Sequence, residues 1–379
     1  MDLYIGVTLM LVLVLAEIVY LVLFRGEEVP YQEVVSNLNS GHILLWLFRG
    51  LEIIGYHYAL QFLSLDVLSG WPVWLQWVFA FVAWDFCFYW LHRIHHQLPS
   101  LWSVHVVHHE GEHFSLSLGI RNSWFSSLTS LPFFLPLALI GVPLEQFILV
   151  GSINYFVQFY NHNHIVKRSG WLEHVLITPS HHRVHHGHDD IYRNRNFGGT
   201  LVLWDKLFGT FQAELPELAP TFGVSYVPSH NPFRLNLAPV LRVLPRTWGR
   251  RLEQAWRRVH APRRTFHTPQ IIVLMGGLVA FALLAVYVYH EPVWTSKQLS
   301  WLFAYTFGST LGMGGVLEGQ RWGLWLWGVL ALAGMLGVIA FGLLASAPLL
   351  SVCLIGMTVL AACSVSRRVP LSTTGESAG

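Results

Sequence analysis

Long apolar runs dominate this chain and decide what it can fold into. Of its 379 residues, 53% are hydrophobic and only 12% are charged, whereas soluble domains carry about 25% charged residues. A bilayer admits such runs as helices, because helices satisfy their own backbone polar groups. The chain is therefore predicted to be an all-α, multi-pass integral membrane protein. The predicted membrane segments lie near residues 4–24, 42–64, 71–91, 270–289, 299–317, 322–343 and 346–363.

The remaining composition excludes other classes of protein. The N-terminal run has no basic stretch before it and no small-residue cleavage site, so a spanning helix is predicted there instead of a signal peptide. The net charge of +2 is too small to indicate a nucleic-acid partner. The cysteines Cys87, Cys353 and Cys363 sit in apolar runs and are expected to be core residues, not disulfides.

Histidines are concentrated in one part of the chain. Fifteen of the 21 fall between His92 and His188, and they form one HxxxH cluster, two HxxHH clusters and a lone His162. This spacing places imidazoles on one face of a helix. Imidazoles without thiolates suit Fe, Zn, Cu or Ni, and nine are too many for one ion. We therefore predict a dinuclear metal site. Its predicted ligands are His92, His96, His105, His108, His109, His162, His182, His185 and His186.

Simpler metal sites do not account for nine histidines. A structural zinc site has four ligands and often contains cysteine, and haem needs one or two axial ligands. Four other histidines, outside the expected register, are predicted to support the ligands or to face solvent. They are His95, His164, His181 and His188.

The polar segments indicate how the chain is arranged about the membrane. Residues 125–161 are interrupted by prolines and predict a helical hairpin, and residues 190–240 predict a polar cap. Residues 242–264 hold eight arginines and predict an interfacial segment on the cytoplasmic face. The positive-inside rule then places every histidine cluster on one face of the membrane, the cytoplasmic face, and a shared metal site requires such a common face.

Four segments follow from this organisation. Residues 1–70 are assigned to N-terminal membrane helices, 71–240 to a catalytic core with a helical cap, 241–268 to the arginine-rich linker, and 269–379 to a C-terminal four-helix membrane region. Three roles stay open for the C-terminal helices: binding an electron donor, forming a homodimer, or enlarging the substrate chamber.

The motifs around the histidines resemble a known family. The chain reads Asp85-x3-Tyr89-Trp90-x-His92-Arg93-x2-His96, then Leu101-Trp102-x2-His105-x2-His108-His109. Further on it reads Thr178-Pro-Ser-His-His-Arg-Val-His-His186-Gly, then Asn196-Phe-Gly198 and Trp204-Asp-Lys-Leu-Phe-Gly-Thr-Phe211. Over roughly residues 80–215 this combination resembles the fatty acid hydroxylase (sterol desaturase) superfamily. The resemblance implies a membrane-bound di-iron oxygenase or desaturase that acts on lipid.

Within that superfamily the chain is most similar to the alkylglycerol monooxygenase group. The similarity rests on Glu110-x-Glu112-His113-Phe-Ser, Arg121-Asn122, the lone His162 and a membrane-embedded C-terminal extension. It implies O2-dependent cleavage of the ether bond of alkylglycerols by two iron ions, with a reduced pterin as the separate electron donor. Zinc is an alternative occupant, because imidazole binds both metals.

The chain departs from its relatives at two glutamines. Gln97 stands where the alkylglycerol enzymes carry an acidic residue, a position connected with the pterin. Gln158 stands where fatty acid 2-hydroxylases carry an additional histidine, so nine ligands are predicted instead of ten.

Carboxylates and amides near the clusters are the remaining candidate catalytic residues. Asp85, Glu110, Glu112 and Asp205 are candidates for orienting the imidazoles from behind. Asn122 and Asn196 are candidates either for substrate contact or for hydrogen bonds within loops.

Two other functions are alternatives to ether cleavage. One is a lipid, fatty-acid or sterol hydroxylase or desaturase of the same superfamily, whose product would be a hydroxylated or unsaturated lipid instead of an aldehyde. The other is a metal transporter or sensor. Segments 270–289 and 322–343 hold no charged residue to line a transport path, which argues against transport.

Overall fold

The computed structural model describes residues 3–40, 42–226, 229–245, 251, 266–267, 270–343, 347–366 and 369–370. Within these residues the protein is helical, as predicted, apart from two antiparallel two-residue strands, β1 (Phe266–His267) and β2 (Val369–Pro370). Most of the predicted arginine-rich linker lies outside the described residues.

The chain divides into two compact units, Leu44–Pro228 and Met1–Ile43 together with Ser229–Gly379. The grouping of the first 43 residues with the C-terminal part was not anticipated from the sequence. The four predicted segments stay a prediction.

The unit Leu44–Pro228 carries the histidine clusters. Its helices are α3 (His42–Leu63, which begins two residues before the unit), α4 (Val73–Gln97), α5 (Pro99–His109), α6 (Leu116–Ile120), α7 (Ser126–Ile140), α8 (Leu144–Asn161), α9 (Pro179–His186) and α10 (Leu203–Leu207). The helix α4 packs against α5, α7 and α8, and α8 also packs against α6 and α9. Helices α7 and α8 cover the residues for which a hairpin is predicted, and both pack against α4. Gly141 ends α7 in the left-handed conformation that glycine adopts without strain.

An apolar core lies among α3, α4, α7 and α8. The indole of Trp84 stacks on Phe134 with ring centroids 4.7 Å apart, and Tyr56 stacks on Phe147 at 3.9 Å. The same core contains a buried ion pair between Arg49 and Glu52, and Ser130 donates a hydrogen bond to that carboxylate. Neighbouring helices thus shield charges that would be costly in hydrocarbon.

The other unit contains α1 (Leu3–Val19), which continues as a π-helical turn Tyr20–Phe24, and α2 (Tyr31–Leu38). It also contains α11 (Pro232–Val243), α12 (Gln270–His290), α13 (Ser296–Leu317), α14 (Arg321–Ala340) and α15 (Pro348–Ser366). The helix α12 is central here, because it packs against α1, α2, α13 and α15.

Five helical stretches among the described residues are long and apolar enough to span a membrane. They are Ile5–Phe24, Tyr31–Leu63, Val73–Gln97, Gln270–His290 and Arg321–Ala340. The predicted span near 299–317 does form the helix α13, but that helix is not among the five, because glycine, serine and threonine interrupt its apolar residues. The protein is a multi-pass integral membrane protein.

Candidate metal centre

The structure brings the nine predicted ligands together in two groups. The five-histidine group consists of His92, His96, His105, His109 and His185, and the four-histidine group of His108, His162, His182 and His186. Within each group, the nitrogens available to a metal all lie within 4.8 Å of one another.

The HxxHH spacing explains why each of α5 and α9 serves both groups. In α5, His105 and His109 are one turn apart and share a group, while His108 belongs to the other. In α9 the assignment is reversed, because His182 and His186 share the four-histidine group and His185 belongs to the five-histidine group. Successive residues on a helix point about 100° apart, so adjacent histidines face different sites. The rings of His109 and His186, one from each group, stack with centroids 4.3 Å apart, so the two groups are neighbours.

The remaining ligands come from α4 and from the end of α8. His92 and His96 are one turn apart near the end of α4, as the HxxxH spacing predicted. His162 directly follows α8, and its backbone N–H donates to the carbonyls of Phe159 and Tyr160 in the last turn of that helix. Its ring packs against Gly119 of α6, where an added Cβ would lie 2.9 Å from Nδ1 of His162.

Backbone carbonyls hold four of the imidazoles by Nδ1. The acceptors are the carbonyl oxygens of Phe197 for His92 (2.9 Å), Arg121 for His108 (2.8 Å), Gln158 for His162 (2.8 Å) and Arg195 for His185 (3.0 Å). A carbonyl only accepts, so each Nδ1 carries the proton and each Nε2 of the neutral ring presents a lone pair. This is the arrangement that orients a ligating histidine.

The Nε2 atoms of the four-histidine group fit a bound cation. Nε2 of His162 lies 3.1 Å from Nε2 of His108, of His182 and of His186. Both His162 and His108 have their proton on Nδ1, so their facing lone pairs repel unless a cation lies between them. Nitrogens about 2.1 Å from one ion and at right angles would be about 3.0 Å apart. The donor set and its spacing therefore fit an imidazole-bound transition metal.

The five-histidine group fits a metal on similar grounds. Nε2 of His105 lies 3.0 Å from Nε2 of His92 and 3.1 Å from Nε2 of His109. Nε2 of His96 and of His185 is buried with no hydrogen-bond partner among the described residues. Buried polar atoms are rarely left unpaired, and a metal ion would satisfy both nitrogens.

Burial keeps these imidazoles neutral. It lowers the pKa of His108 to about 4 and that of His185 to about 3. Burial, assisted by neighbouring imidazoles, also holds five further pKa values well below the usual range: those of His105, His109, His162, His182 and His186. Neutral imidazole is the form that binds metal. The four-histidine group is wholly buried, whereas His96 and His105 are half-buried.

Two buried carboxylates hold the loop that supplies carbonyls to His92 and His185. Asp205 accepts hydrogen bonds from the backbone N–H of Phe197 (2.8 Å) and of Gly198 (2.7 Å). Asp85 accepts from the backbone N–H of Thr200 (2.7 Å) and Leu201 (3.0 Å). Asp85 also binds Trp204 Nε1 (3.0 Å) and Asn154 Nδ2 (2.7 Å), so it joins α4, α8 and α10.

The other predicted catalytic residues occupy different surroundings. Glu110 is buried and binds Arg121 (2.8 Å) and the hydroxyl of Tyr226 (2.5 Å). The amide of Asn196 donates to the carbonyls of His181 (3.0 Å) and Gln212 (2.7 Å), so it fastens the same loop. The side chain of Glu112 is exposed and that of Asn122 is half-buried. Neither these four residues nor Asp85 and Asp205 belong to either histidine group.

Carboxylates were predicted to orient the imidazoles directly. The hydrogen bonds of Asp85 and Asp205 go instead to backbone N–H groups, to the side chains of Trp204 and Asn154, and to the Thr210 hydroxyl, while carbonyls accept from the four Nδ1 atoms. The physical reason is that a loop already held by these carboxylates presents its carbonyls to the rings. Asp205 therefore affects the ligands through the loop, whereas Asp85 affects them through the loop and through Asn154 of α8.

Sequence reasoning missed Arg121 as a support of the site. Its guanidinium is buried and donates from Nε to the carbonyl of Val107 at the end of α5 (2.6 Å), and its own carbonyl accepts from His108. The loop carbonyls of Arg195 and Phe197 were missed as well. The signal for that loop lies in Asn194 and Asn196, whose φ angles of 58° and 54° are left-handed, a conformation that asparagine tolerates better than most residues.

The four histidines outside the predicted register also lie outside both groups. His95 hydrogen bonds to the carbonyl of Leu91 (2.7 Å) and to Thr129 (3.0 Å). The exposed His188 contacts Thr221 (3.2 Å), His181 is buried, and His164 is half-buried.

Comparison with known proteins supports the resemblance stated above. Residues 77–210 match the fatty acid hydroxylase family. An alkylglycerol monooxygenase from Danio rerio is 37% identical over 195 residues, covering 50% of this chain and 43% of that protein. The human alkylglycerol monooxygenase is 39% identical over 167 residues, covering 44% of this chain and 37% of that protein. An ornithine lipid hydroxylase from Rhizobium tropici is 35% identical over 143 residues, covering 37% and 43% of the two chains.

These matches span less than half the length of the three relatives. No solved structure matches the chain. The matched region contains all nine clustered histidines. Residues 77–210 are therefore similar to the fatty acid hydroxylase family, and the chain is similar to the alkylglycerol monooxygenases.

Proposed function

We propose that this protein is a membrane-bound di-iron monooxygenase that cleaves the ether bond of alkylglycerol-type lipids. The observation that carries the proposal is the pair of neighbouring histidine groups, in each of which Nε2 atoms face one another at 3.0–3.1 Å. The similarity of this region to alkylglycerol monooxygenases supports the choice of substrate.

The proposed reaction balances as a monooxygenation. One oxygen atom of O2 enters a C–H bond of the alkyl carbon next to the ether oxygen. The other leaves as water, with two electrons and two protons from a separate donor. The resulting hemiacetal breaks its C–O bond to the glycerol and yields a long-chain aldehyde and a free glycerol hydroxyl. Iron, when bound, supplies the redox chemistry that activates O2.

The residues of the chain then have distinct tasks. The nine histidines hold the metals as neutral rings, and the carbonyls of Arg121, Gln158, Arg195 and Phe197 fix the orientation of four of these rings. Burial of the four-histidine group excludes water from that position, which suppresses unproductive side reactions. We place the site on the cytoplasmic face by the positive-inside rule, and we propose a reduced pterin as the electron donor.

Product analysis of the iron-loaded protein in lipid nanodiscs tests this function. The protein receives an alkylglycerol, a reduced pterin and 18O2, and the aldehyde is reduced at once to the alcohol so that its oxygen is retained. We expect a labelled long-chain alcohol and free glycerol from the wild type and neither from His108→Ala. His188→Ala is the matched control, because this exposed histidine lies outside both groups and should leave the product unchanged.

A second candidate is hydroxylation of a lipid without ether cleavage. The similarity to an ornithine lipid hydroxylase favours it. In the same experiment it predicts a lipid that gains one 18O atom and keeps its chain. That result would replace the ether-cleavage proposal. Failure to consume O2 with either a pterin or a ferredoxin-type donor, in protein that holds iron, would contradict both candidates.

A further inference from the structure

An exposed apolar surface lies on the histidine-bearing unit, away from the metal ligands. It is formed by the 3-10 turn Gly170–His174 and the short helix α10. The backbone joins the two, because Val202 N–H donates to the carbonyl of Val175 (3.0 Å) and Leu176 bridges to Leu201. Its side chains and exposed fractions are Trp171 (72%), Leu172 (36%), Val175 (49%), Leu203 (51%) and Leu207 (64%). We call this set the apolar cap surface.

The apolar cap surface continues an exposed apolar strip on the spanning helix α4. Trp74, Val78, Val82 and Phe86 recur every four residues along α4, and all are exposed, as expected of a lipid-facing side. Phe86 contacts Trp204 of α10 with ring centroids 5.0 Å apart, and Phe208, directly after α10, at 6.4 Å. The strip therefore leads from the membrane span to α10.

Tryptophans mark the level at which α10 meets α4. Trp71 and Trp74 lie at one end of α4, and Trp90 lies near the other, where it contacts Phe208 at 5.1 Å. Trp74 and Trp90 are sixteen positions apart, which corresponds to about 24 Å along the helix. Tryptophans that far apart are typical of the two interfacial belts of a membrane protein. The guanidinium of Arg93 lies 5.5 Å from the ring of Trp90, and a cation beside an interfacial tryptophan suits the level of the lipid headgroups.

Basic side chains flank the apolar cap surface. Lys206 lies on α10 between Leu203 and Leu207 and is exposed. Lys167 and Arg168 precede the 3-10 turn and are also exposed, and Glu173 partly offsets them. Cations beside apolar side chains suit the boundary between anionic headgroups and acyl chains.

From this continuity and charge we propose that the apolar cap surface lies in the bilayer interface, with Trp171, Leu203 and Leu207 inserted among the lipids. The histidine-bearing unit would then contact the membrane twice, through its spanning helices and through this monotopic surface. The proposal is independent of the reaction catalysed, so the product analysis above and the test below fail separately.

Spin-label depth measurements on the full chain test the proposal. In a background with Cys87, Cys353 and Cys363 replaced by alanine, one nitroxide is attached at Trp171→Cys, Leu203→Cys or Leu207→Cys in nanodiscs of phosphatidylcholine and phosphatidylglycerol. Collisions with O2, which concentrates in lipid, are compared with collisions with a water-soluble nickel chelate. Asp190→Cys is the aqueous control, because its side chain is 93% exposed, and Val78→Cys on α4 is the lipid control.

We expect the three cap labels to collide with O2 several-fold more often, relative to the nickel chelate, than the label at residue 190. Labels that behave as residue 190 does would overturn the proposal. The proposal would also be overturned by labels that are shielded from both reagents and whose spin–spin broadening disappears on dilution with unlabelled protein. That result would assign the surface to contact with a second copy of the chain. Should one of these labelled variants fail to fold, a nitroxide at Val175→Cys, another exposed residue of the apolar cap surface, replaces it in the same measurement.

Discussion

At the scale of single residues, the metal centre depends on groups that never touch a metal. The carbonyls of Phe197 and Arg195 accept from His92 and His185, and both belong to the loop that Asp205 holds by two backbone N–H bonds. Both carboxylate oxygens of Asp205 accept hydrogen bonds from the backbone, so this position requires a side chain with two acceptor atoms. Asp205 thus influences the orientation of His92 through two successive hydrogen bonds. The first joins the Phe197 N–H to the carboxylate, and the second joins Nδ1 of His92 to the Phe197 carbonyl.

Asp205→Asn should weaken iron binding in the five-histidine group by about 10–100-fold, the usual effect of losing a support behind a metal ligand. The reason is that an amide NH2 would face a backbone N–H, which leaves a buried donor unpaired and displaces the loop. Competition between the protein and a ferrous chelator measures the affinity. Asp190→Asn, at an exposed side chain, is the control, and wild-type affinity in Asp205→Asn would disprove this role of the loop.

Neutral imidazoles make the metal-free protein sensitive to acid. The folded-state pKa of His108 is about 4 and that of His185 about 3, whereas an unfolded histidine titrates near 6.5. Below about pH 6.5 these histidines bind protons in the unfolded chain but stay neutral in the folded chain. The free energy of unfolding is therefore largest above about pH 6.5 and falls as the pH drops towards 4. The thermal midpoint of the metal-free protein should fall across this window. A midpoint independent of pH would show that the imidazoles are not held neutral.

At the scale of helices, close packing of α6 on α8 positions His162. An alanine Cβ at Gly119 would lie 2.9 Å from Nδ1 of His162 and 3.1 Å from the carbonyl of Phe159. Gly119→Ala should therefore cost about 1–3 kcal/mol of stability, as overpacking does, and should lower the metal content of the four-histidine group. Thermal midpoint and iron content are the readouts.

Gly50→Ala is the matched control for that substitution. An added Cβ at Gly50 meets nothing within 4 Å, and alanine has the higher helix propensity. This variant should keep its iron and should be at least as stable as the wild type. Equal behaviour of the two variants would mean that α6 does not constrain His162.

The sequence predicted those parts of the site that depend on periodicity. The HxxxH and HxxHH spacings indicated one-turn pairs, and the structure places them on α4, α5 and α9. The division into five and four ligands was not predictable, because it depends on how these helices pack. The carbonyl acceptors could not be predicted either, because every residue has a carbonyl. The carbonyls of Arg195 and Phe197, for example, face the rings in a loop whose left-handed residues are Asn194 and Asn196. The pairing of α1 and α2 with α12 also rests on long-range packing that apolar runs do not specify.

At the scale of the whole molecule, the two metal positions differ in their access to solvent. The four-histidine group is entirely buried, while His96 and His105 of the five-histidine group are half-buried. A ferrous chelator should therefore remove iron in two phases, with the five-histidine group losing its metal first. His162→Ala should retain mainly the fast phase and His96→Ala mainly the slow phase. A single phase in the wild type, or the reverse assignment, would contradict this difference in access.

If nine imidazoles hold two metal ions, the number of iron ions per chain should follow the number of intact histidine groups. Iron per chain is measured after anaerobic loading and removal of excess metal, for the wild type, His96→Ala, His162→Ala and the control His188→Ala. We expect about two ions per chain in the wild type and in His188→Ala, and about one in each of the other variants. A wild type that binds a single ion, or a His162→Ala variant that keeps both, would show that the nine histidines do not form two separate metal sites.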